Sequence, residues 1–204
     1  MSVLVVDYGM GNLASARRAL EKCGARVLVS DDPASIAAAT RVVIPGVGAF
    51  AQAMARLNER GWATALKEDA VGMGIPVLGV CLGMQLLADF GTEGGDTPGL
   101  GLVPGRVVKL AATAESERIP HVGWNEVYPQ NECPLFSGIP PGSDFYFVHS
   151  YHFRAENEGL VAARTPYCGG FASAVQSGRV FGVQFHPEKS ARLGFRLMQN
   201  FLGA

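Results

Sequence analysis

No apolar run in this 204-residue chain approaches the roughly 18 residues that a membrane-spanning helix needs, which excludes a transmembrane helix. No basic tract stands out. Lys and Arg number 17 against 18 Asp and Glu, a formal net charge of −1, and that balance argues against nucleic acid as a partner. Charge is scarce altogether, at 17% against 48% hydrophobic residues, so a disordered chain is excluded and a compact, soluble globule expected. The four cysteines, Cys23, Cys81, Cys133 and Cys168, include no C-x-x-C pair. A disulfide framework and a zinc site are therefore not expected, and a reducing cytoplasm fits. No positively charged stretch precedes the apolar run at Val3, which reads as a first strand rather than a signal peptide.

What is present alternates. Short β-prone runs at Val3–Asp7, Arg26–Ser30 and Arg41–Ile44 are separated by helical patterns at Asn12–Cys23 and Pro33–Ala39. A further helical stretch, interrupted at Gly61, runs to about Val71 before a strand enters Cys81. From about Gly91, glycine and proline become frequent. Strands are then expected at Gly105–Leu110, Asp144–Val148, Leu160–Arg164, Phe171–Gln176 and Arg179–Phe185, with a hairpin turn at Ser177-Gly178 and a last helix over Ala191–Phe201. The expected fold is α/β: an open, mostly parallel central sheet flanked by helices, with an antiparallel strand extension. Residues 1–204 read as a single domain, with no repeat or linker. Loops 91–104 and 111–118 carry no assignment.

Within this order, "PVLGVCLGMQLL" places Cys81 between an apolar strand and the start of a helix, with glycines at the G-x-C-x-G spacing of a nucleophile elbow. A helix start behind the sulfur favours the thiolate, the attacking species. The plainer alternative is a buried cysteine serving as a small hydrophobe. His186, in "VFGVQFHPEKS", ends a strand and belongs on the same sheet edge, where open α/β sheets build their sites. Glu188, two residues on, can orient its ring; a solvated turn before the last helix is the alternative. "IPGVGAF" can turn backbone N–H groups toward a developing oxyanion, with the Leu82 N–H as a second donor. Alone it reads as an ordinary glycine-rich turn. "DYGMGNL" lacks the third glycine of a dinucleotide fingerprint. His149-Ser150-Tyr151-His152 has no second ligand pair to complete a metal site.

Taken together, "GVCLGMQLL", "PGVGAF" and "GVQFHPEKS" resemble class I (triad) glutamine amidotransferases. "DYGMGNL", "HVGWN" and "FYFVHSYHF" narrow the resemblance to the glutaminase subunits of imidazole glycerol phosphate synthase. It runs from Val3 to the final helix. The resemblance implies a triad of Cys81, His186 and Glu188. It implies an oxyanion hole from Val47, Gly48 and Leu82, and glutamine binding by Gly46, Gln85, His149, Ser150 and Tyr151. It further implies ammonia transfer to a (β/α)8-barrel cyclase subunit in a 1:1 heterodimer, with Asn12 and Trp124 at the interface. There the intermediate PRFAR becomes imidazole glycerol phosphate and AICAR, in histidine biosynthesis. No cofactor or metal is implied. A stand-alone cysteine hydrolase and a catalytically silent binding subunit are the alternatives. The intact Cys81, His186 and Glu188 argue against the second.

Overall fold

The computed structural model describes residues 1–204. Its centre is a run of five parallel strands in the order β2 (Arg26–Ser30), β1 (Ser2–Val6), β3 (Arg41–Gly46), β4 (Val77–Cys81) and β13 (Val180–Val183). The apolar character of β1 follows from burial on both faces. Val3 and Val5 pack on one side with α1 (Leu13–Lys22) and α5 (Ala191–Gly203); Leu4 and Val6 pack on the other with α2 (Phe50–Glu59) and α3 (Trp62–Ala65). Each fully buried side chain of this kind stabilises the fold by about 1.5–3 kcal/mol.

Beyond β13 the sheet turns antiparallel through β12 (Phe171–Ser177), β10 (Tyr151–Ala155) and β7 (Gly105–Lys109). The short strands β5 (Phe90–Gly91) and β6 (Thr97–Pro98) close this edge. A branch leaves β12 through β11 (Val161–Thr165) to a long antiparallel ribbon of β8 (His121–Pro129) and β9 (Ser143–His149).

Local signals decide most boundaries. Asn12 caps α1 by accepting the Ser15 N–H, and Asp32 caps the next turn through the Ala34 N–H. That turn, Pro33–Ala38, is a 3-10 helix rather than an α-helix. Gly61 breaks the long helical stretch in a left-handed conformation, φ +74°, after which the chain resumes as α3 and then a π-helical segment over Leu66–Val71. Ser177 pairs with Val180, so the hairpin turn is Gly178-Arg179, one residue later than the pattern suggests.

Candidate active site

The parallel strands β3, β4 and β13 run in one direction, so Gly46, Cys81 and the segment leading to His186 emerge at one sheet edge. Gly46 pairs directly with Cys81. Between β4 and α4 (Leu82–Leu86), Cys81 takes φ +56° and ψ −111°, an unfavourable backbone for a non-glycine residue. Such strain costs on the order of 1–3 kcal/mol and persists only where the surroundings impose it. Here the imposing contacts are glycines. A Cβ on Gly79 would sit 2.5 Å from the Gly83 carbonyl oxygen, and one on Gly83 would overlap the carbonyl oxygen of Ile44. The G-x-C-x-G spacing is thus the condition for α4 to lie this close to β3 and β4. The helix has only five residues, so its dipole is smaller than a long helix would supply.

His186 is held by its backbone and by its ring. Its N–H donates to the Tyr146 carbonyl at 2.9 Å, and its own carbonyl accepts the Ser190 hydroxyl at 2.6 Å. Ring Nδ1 lies 2.8 Å from Oε1 of Glu188, with both side chains buried. The carboxylate fixes the proton on Nδ1, and the buried Nε2 has no hydrogen-bond partner. Burial works against the charged ring, but Cys81 and Glu188 together outweigh it and push the His186 pKa up to about 9. Cys81 acts on the ring both as a polar neighbour of the imidazole and through its charge, while its sulfur lies beyond a full hydrogen bond to Nε2. Cys81 Sγ instead receives a long contact, 3.8 Å, from the amide of Gln184.

A cavity of about 270 Å³ opens over these groups. Cys81 and His186 line it together with Val47, Gly48, Leu82, Gln85, His149, Ser150 and Tyr151. Gly48 is left-handed, φ +108°, and Val47 beside it is exposed. Tyr8, fully buried, donates its hydroxyl to the Pro45 carbonyl at 2.9 Å and so anchors the strand end just before these residues. Gln85 is buried. Its amide donates to the Tyr151 carbonyl at 2.9 Å and to Gln184 Oε1 at 3.0 Å. Both ring nitrogens of His149 are occupied by protein partners, which leaves none to ligate a metal.

The sequence profile of class I glutamine amidotransferases matches residues 4–203. The chain belongs to that family. Its relatives include the imidazole glycerol phosphate synthase subunit HisH of Moorella thermoacetica, 49% identical over 98% of this chain and 93% of that protein. The HisH subunit of Symbiobacterium thermophilum is 48% identical over 98% of this chain and 92% of its own length. Among solved structures, one glutamine amidotransferase superposes with a TM-score of 0.76 at 21% identity, over 98% of this chain and 97% of that one. PurLQS from Thermotoga maritima gives 0.73 at 20% identity, over 99% and 97%. These likenesses establish the fold. As a family member, the protein is a glutamine amidotransferase.

For such an enzyme the cavity holds two residues that the sequence reading leaves out, Val148 and the charged Glu93. Glu93 lines it, and its carboxylate accepts the Phe50 N–H at 2.8 Å. It lies in the unassigned glycine-rich loop, where no periodicity marks it. Gln184 is hidden in the same way inside an apolar strand ending. Asn12 does not reach the large cavity. It borders a small hollow behind the triad candidates, shared with Pro45, Gly46, Val47, His186 and Glu188. Trp124 is 54% exposed, so it is no core aromatic. It pairs with Tyr146 across β8 and β9, and the exposed Val122 and Val148 pair beside it.

Proposed function

We propose that this single-domain chain is the glutaminase subunit of an imidazole glycerol phosphate synthase. The observation that carries the reading is the buried, unpartnered Nε2 of His186, facing the cavity that Cys81 lines, with Glu188 fixing the opposite ring nitrogen. In this reading the Cys81 thiolate attacks the side-chain amide carbon of glutamine. The carbonyl π electrons move to oxygen, and the N–H groups of Val47 or Gly48 and of Leu82 receive the oxyanion. Protonated His186 gives its Nε2 proton to the departing nitrogen, so ammonia leaves and a γ-glutamyl thioester remains. His186, now neutral, takes a proton from water as the water attacks the thioester. Glutamate leaves, and thiolate and imidazolium are restored.

Glutamine would be held by Gln85 and the backbone of His149-Ser150-Tyr151, with the Glu93 carboxylate suited to the α-ammonium group; Gly46, paired with Cys81 and bordering the hollow behind, would support the site from the sheet. Ammonia would pass to a cyclase subunit with a (β/α)8 barrel in a 1:1 pair. The names of the relatives support a partner subunit. The exposed apolar strip of Trp124, Val122 and Val148, continuous with the cavity wall at Val148, supports the face on which it docks. Asn12, against the hollow behind His186, would lie at the same contact. The test is glutamine hydrolysis by the chain alone, with a cyclase subunit, and with cyclase plus its nucleotide ligand. Hydrolysis strongly dependent on the loaded partner supports the proposal; equal rates in all three favour a stand-alone hydrolase.

A further inference from the structure

A hydrogen-bonded chain runs from the surface strand β8 to the wall of the cavity, and none of its outer members has a place in the triad chemistry. Asn125 Nδ2 lies 3.1 Å from His121 Nε2. His121 Nδ1 lies 3.0 Å from His149 Nε2, and His149 Nδ1 lies 2.9 Å from the Tyr151 carbonyl oxygen. That oxygen also accepts the Gln85 amide at 2.9 Å.

The direction of every bond is determined. At the inner end the Tyr151 carbonyl can only accept, so His149 carries its proton on Nδ1 and its Nε2 must accept. His121 therefore donates from Nδ1, and its Nε2 must accept in turn. At the outer end Asn125 Oδ1 is already taken by the Glu126 N–H at 2.8 Å, which leaves the Asn125 amide nitrogen as the donor that His121 needs. Two independent ends thus require the same pair of tautomers. Both histidines are buried, and burial lowers the pKa of His121 to about 4 and of His149 to about 3, so both are neutral around pH 7. Protonation of either ring would remove an acceptor from the chain. His121 is also clamped by stacking on Tyr167 and Phe147, with centroids 4.1 and 4.9 Å away.

We infer that His121 is a positioning residue for the substrate: through His149 it sets the orientation of the Tyr151 carbonyl and hence the His149-Ser150-Tyr151 turn that receives glutamine. The Tyr151 carbonyl has one lone pair for His149 and one for Gln85, so losing the first frees the turn to rotate about the second. The outer end of the chain lies on the strand that carries Trp124, so a shift of β8 reaches the glutamine turn without passing through Cys81. This inference rests on the glutaminase reading above.

The test compares His121→Phe, which keeps the stacking and removes both nitrogens, with His121→Asn, whose amide nitrogen replaces the Nδ1 donor. Both are assayed in complex with the cyclase subunit and its ligand. The expected result is a glutamine KM about tenfold higher for His121→Phe, with a smaller change in kcat and substantial recovery in His121→Asn. An unchanged KM in folded His121→Phe, or no recovery in His121→Asn, overturns the inference. A readout that needs no variant is the imidazole nitrogen spectrum of the wild-type protein. Nδ1–H tautomers at both His121 and His149 are expected, and an Nε2–H tautomer at either overturns it. Failure of the glutaminase reading is distinguished by full glutamine turnover in Cys81→Ser, which says nothing of the tautomers.

Discussion

His186 and Glu188 form a buried pair at 2.8 Å that leaves one face of the imidazole committed and the other free. If Cys81 contributes to the raised pKa of His186 as well, removing the sulfur should be visible on the ring. In Cys81→Ser the His186 pKa should fall from its value of about 9, as read by titration of the ring proton resonances. Glutamine hydrolysis should fall by at least three orders of magnitude in the same variant, because a hydroxyl is a far weaker nucleophile without tuning. Ammonia-dependent synthesis by the complex should survive. Cys23→Ala, Cys133→Ala and Cys168→Ala should leave turnover largely unchanged.

His186→Ala should lose about as much hydrolysis as Cys81→Ser, since a nucleophile and its base act as one unit. Glu188→Gln should lose less, because the orienting group acts through the ring. Steady-state rates under saturating glutamine decide this. Normal rates in His186→Ala alongside losses in His149→Ala or His152→Ala would show that the base has been misassigned.

The glycines at the elbow secure the close approach of α4 to the sheet. The Gly83 Cβ clash is with the backbone at Ile44, in a strand hydrogen-bonded to β1 on one side and β4 on the other. Gly83→Ala should cost about 3 kcal/mol or more, and lower Tm by about 6–12 °C. Gly203→Ala, where nothing lies within 4 Å, should stay within about 0.5 kcal/mol of wild type. Equal melting temperatures for the two variants would mean that close packing of α4 is not what the spacing secures.

Stability should decline on both sides of neutrality, for opposite reasons. Below the ordinary histidine value of 6.5, the unfolded chain binds protons that His121 and His149 refuse when folded. The stability they contribute is present above 6.5 and is lost as pH falls toward about 4 for His121 and about 3 for His149. For His149 the positive charge of His121, His152 or His186 adds to the resistance. His186 behaves inversely: its contribution is full below 6.5 and lost as pH rises through about 9. Urea melts across pH 4 to 9 should show this dome, and His121→Phe should flatten its acid side. An acid limb unchanged in that variant would contradict the assignment.

How much of this was legible depends on what each residue had to signal. The strands β1, β2, β3 and β4 show as β-prone runs bounded by glycine, proline or a polar residue, and the elbow shows because close packing admits only glycine on either side of Cys81. The ribbon strand β8 does not show. In "HVGWNEVYP" burial alternates strictly, but the exposed positions carry the apolar Val122 and Trp124 while the inward ones carry Gly123 and Asn125, so the hydropathy does not follow the strand period. Strand β10 is obscured likewise by His152 and Arg154, and the segment Pro33–Ala38 is too short for its pattern to separate a 3-10 turn from an α-helix. Glu93 and the His121–His149 contact were illegible because each depends on residues brought together from distant parts of the chain.

Val47 and Gly48 form a turn at the rim of the cavity that Cys81 and His186 line. Gly48 holds φ +108°, a conformation that costs a residue with a side chain, and a Cβ there would sit 2.7 Å from the Met10 methyl group. Pro45 just before it is pinned by Tyr8, so motion in this segment is confined to the peptides that follow. If docking turns the Val47–Gly48 peptide so that an N–H enters the oxyanion position, a side chain at Gly48 should bias that choice. One such donor is worth about 10²–10³ in rate. Gly48→Ala should therefore hydrolyse glutamine with the loaded cyclase about 10²-fold more slowly than wild type. Its basal rate without the partner and its affinity for the partner should change little. Trp124→Ala should do the reverse, weakening docking by about 2 kcal/mol, roughly thirtyfold in Kd, while saturating partner restores the rate. Rates at saturating cyclase and binding isotherms for both variants separate the two roles. Full activation in Gly48→Ala would remove the turn from the gating step, and wild-type affinity in Trp124→Ala would move the docking face elsewhere.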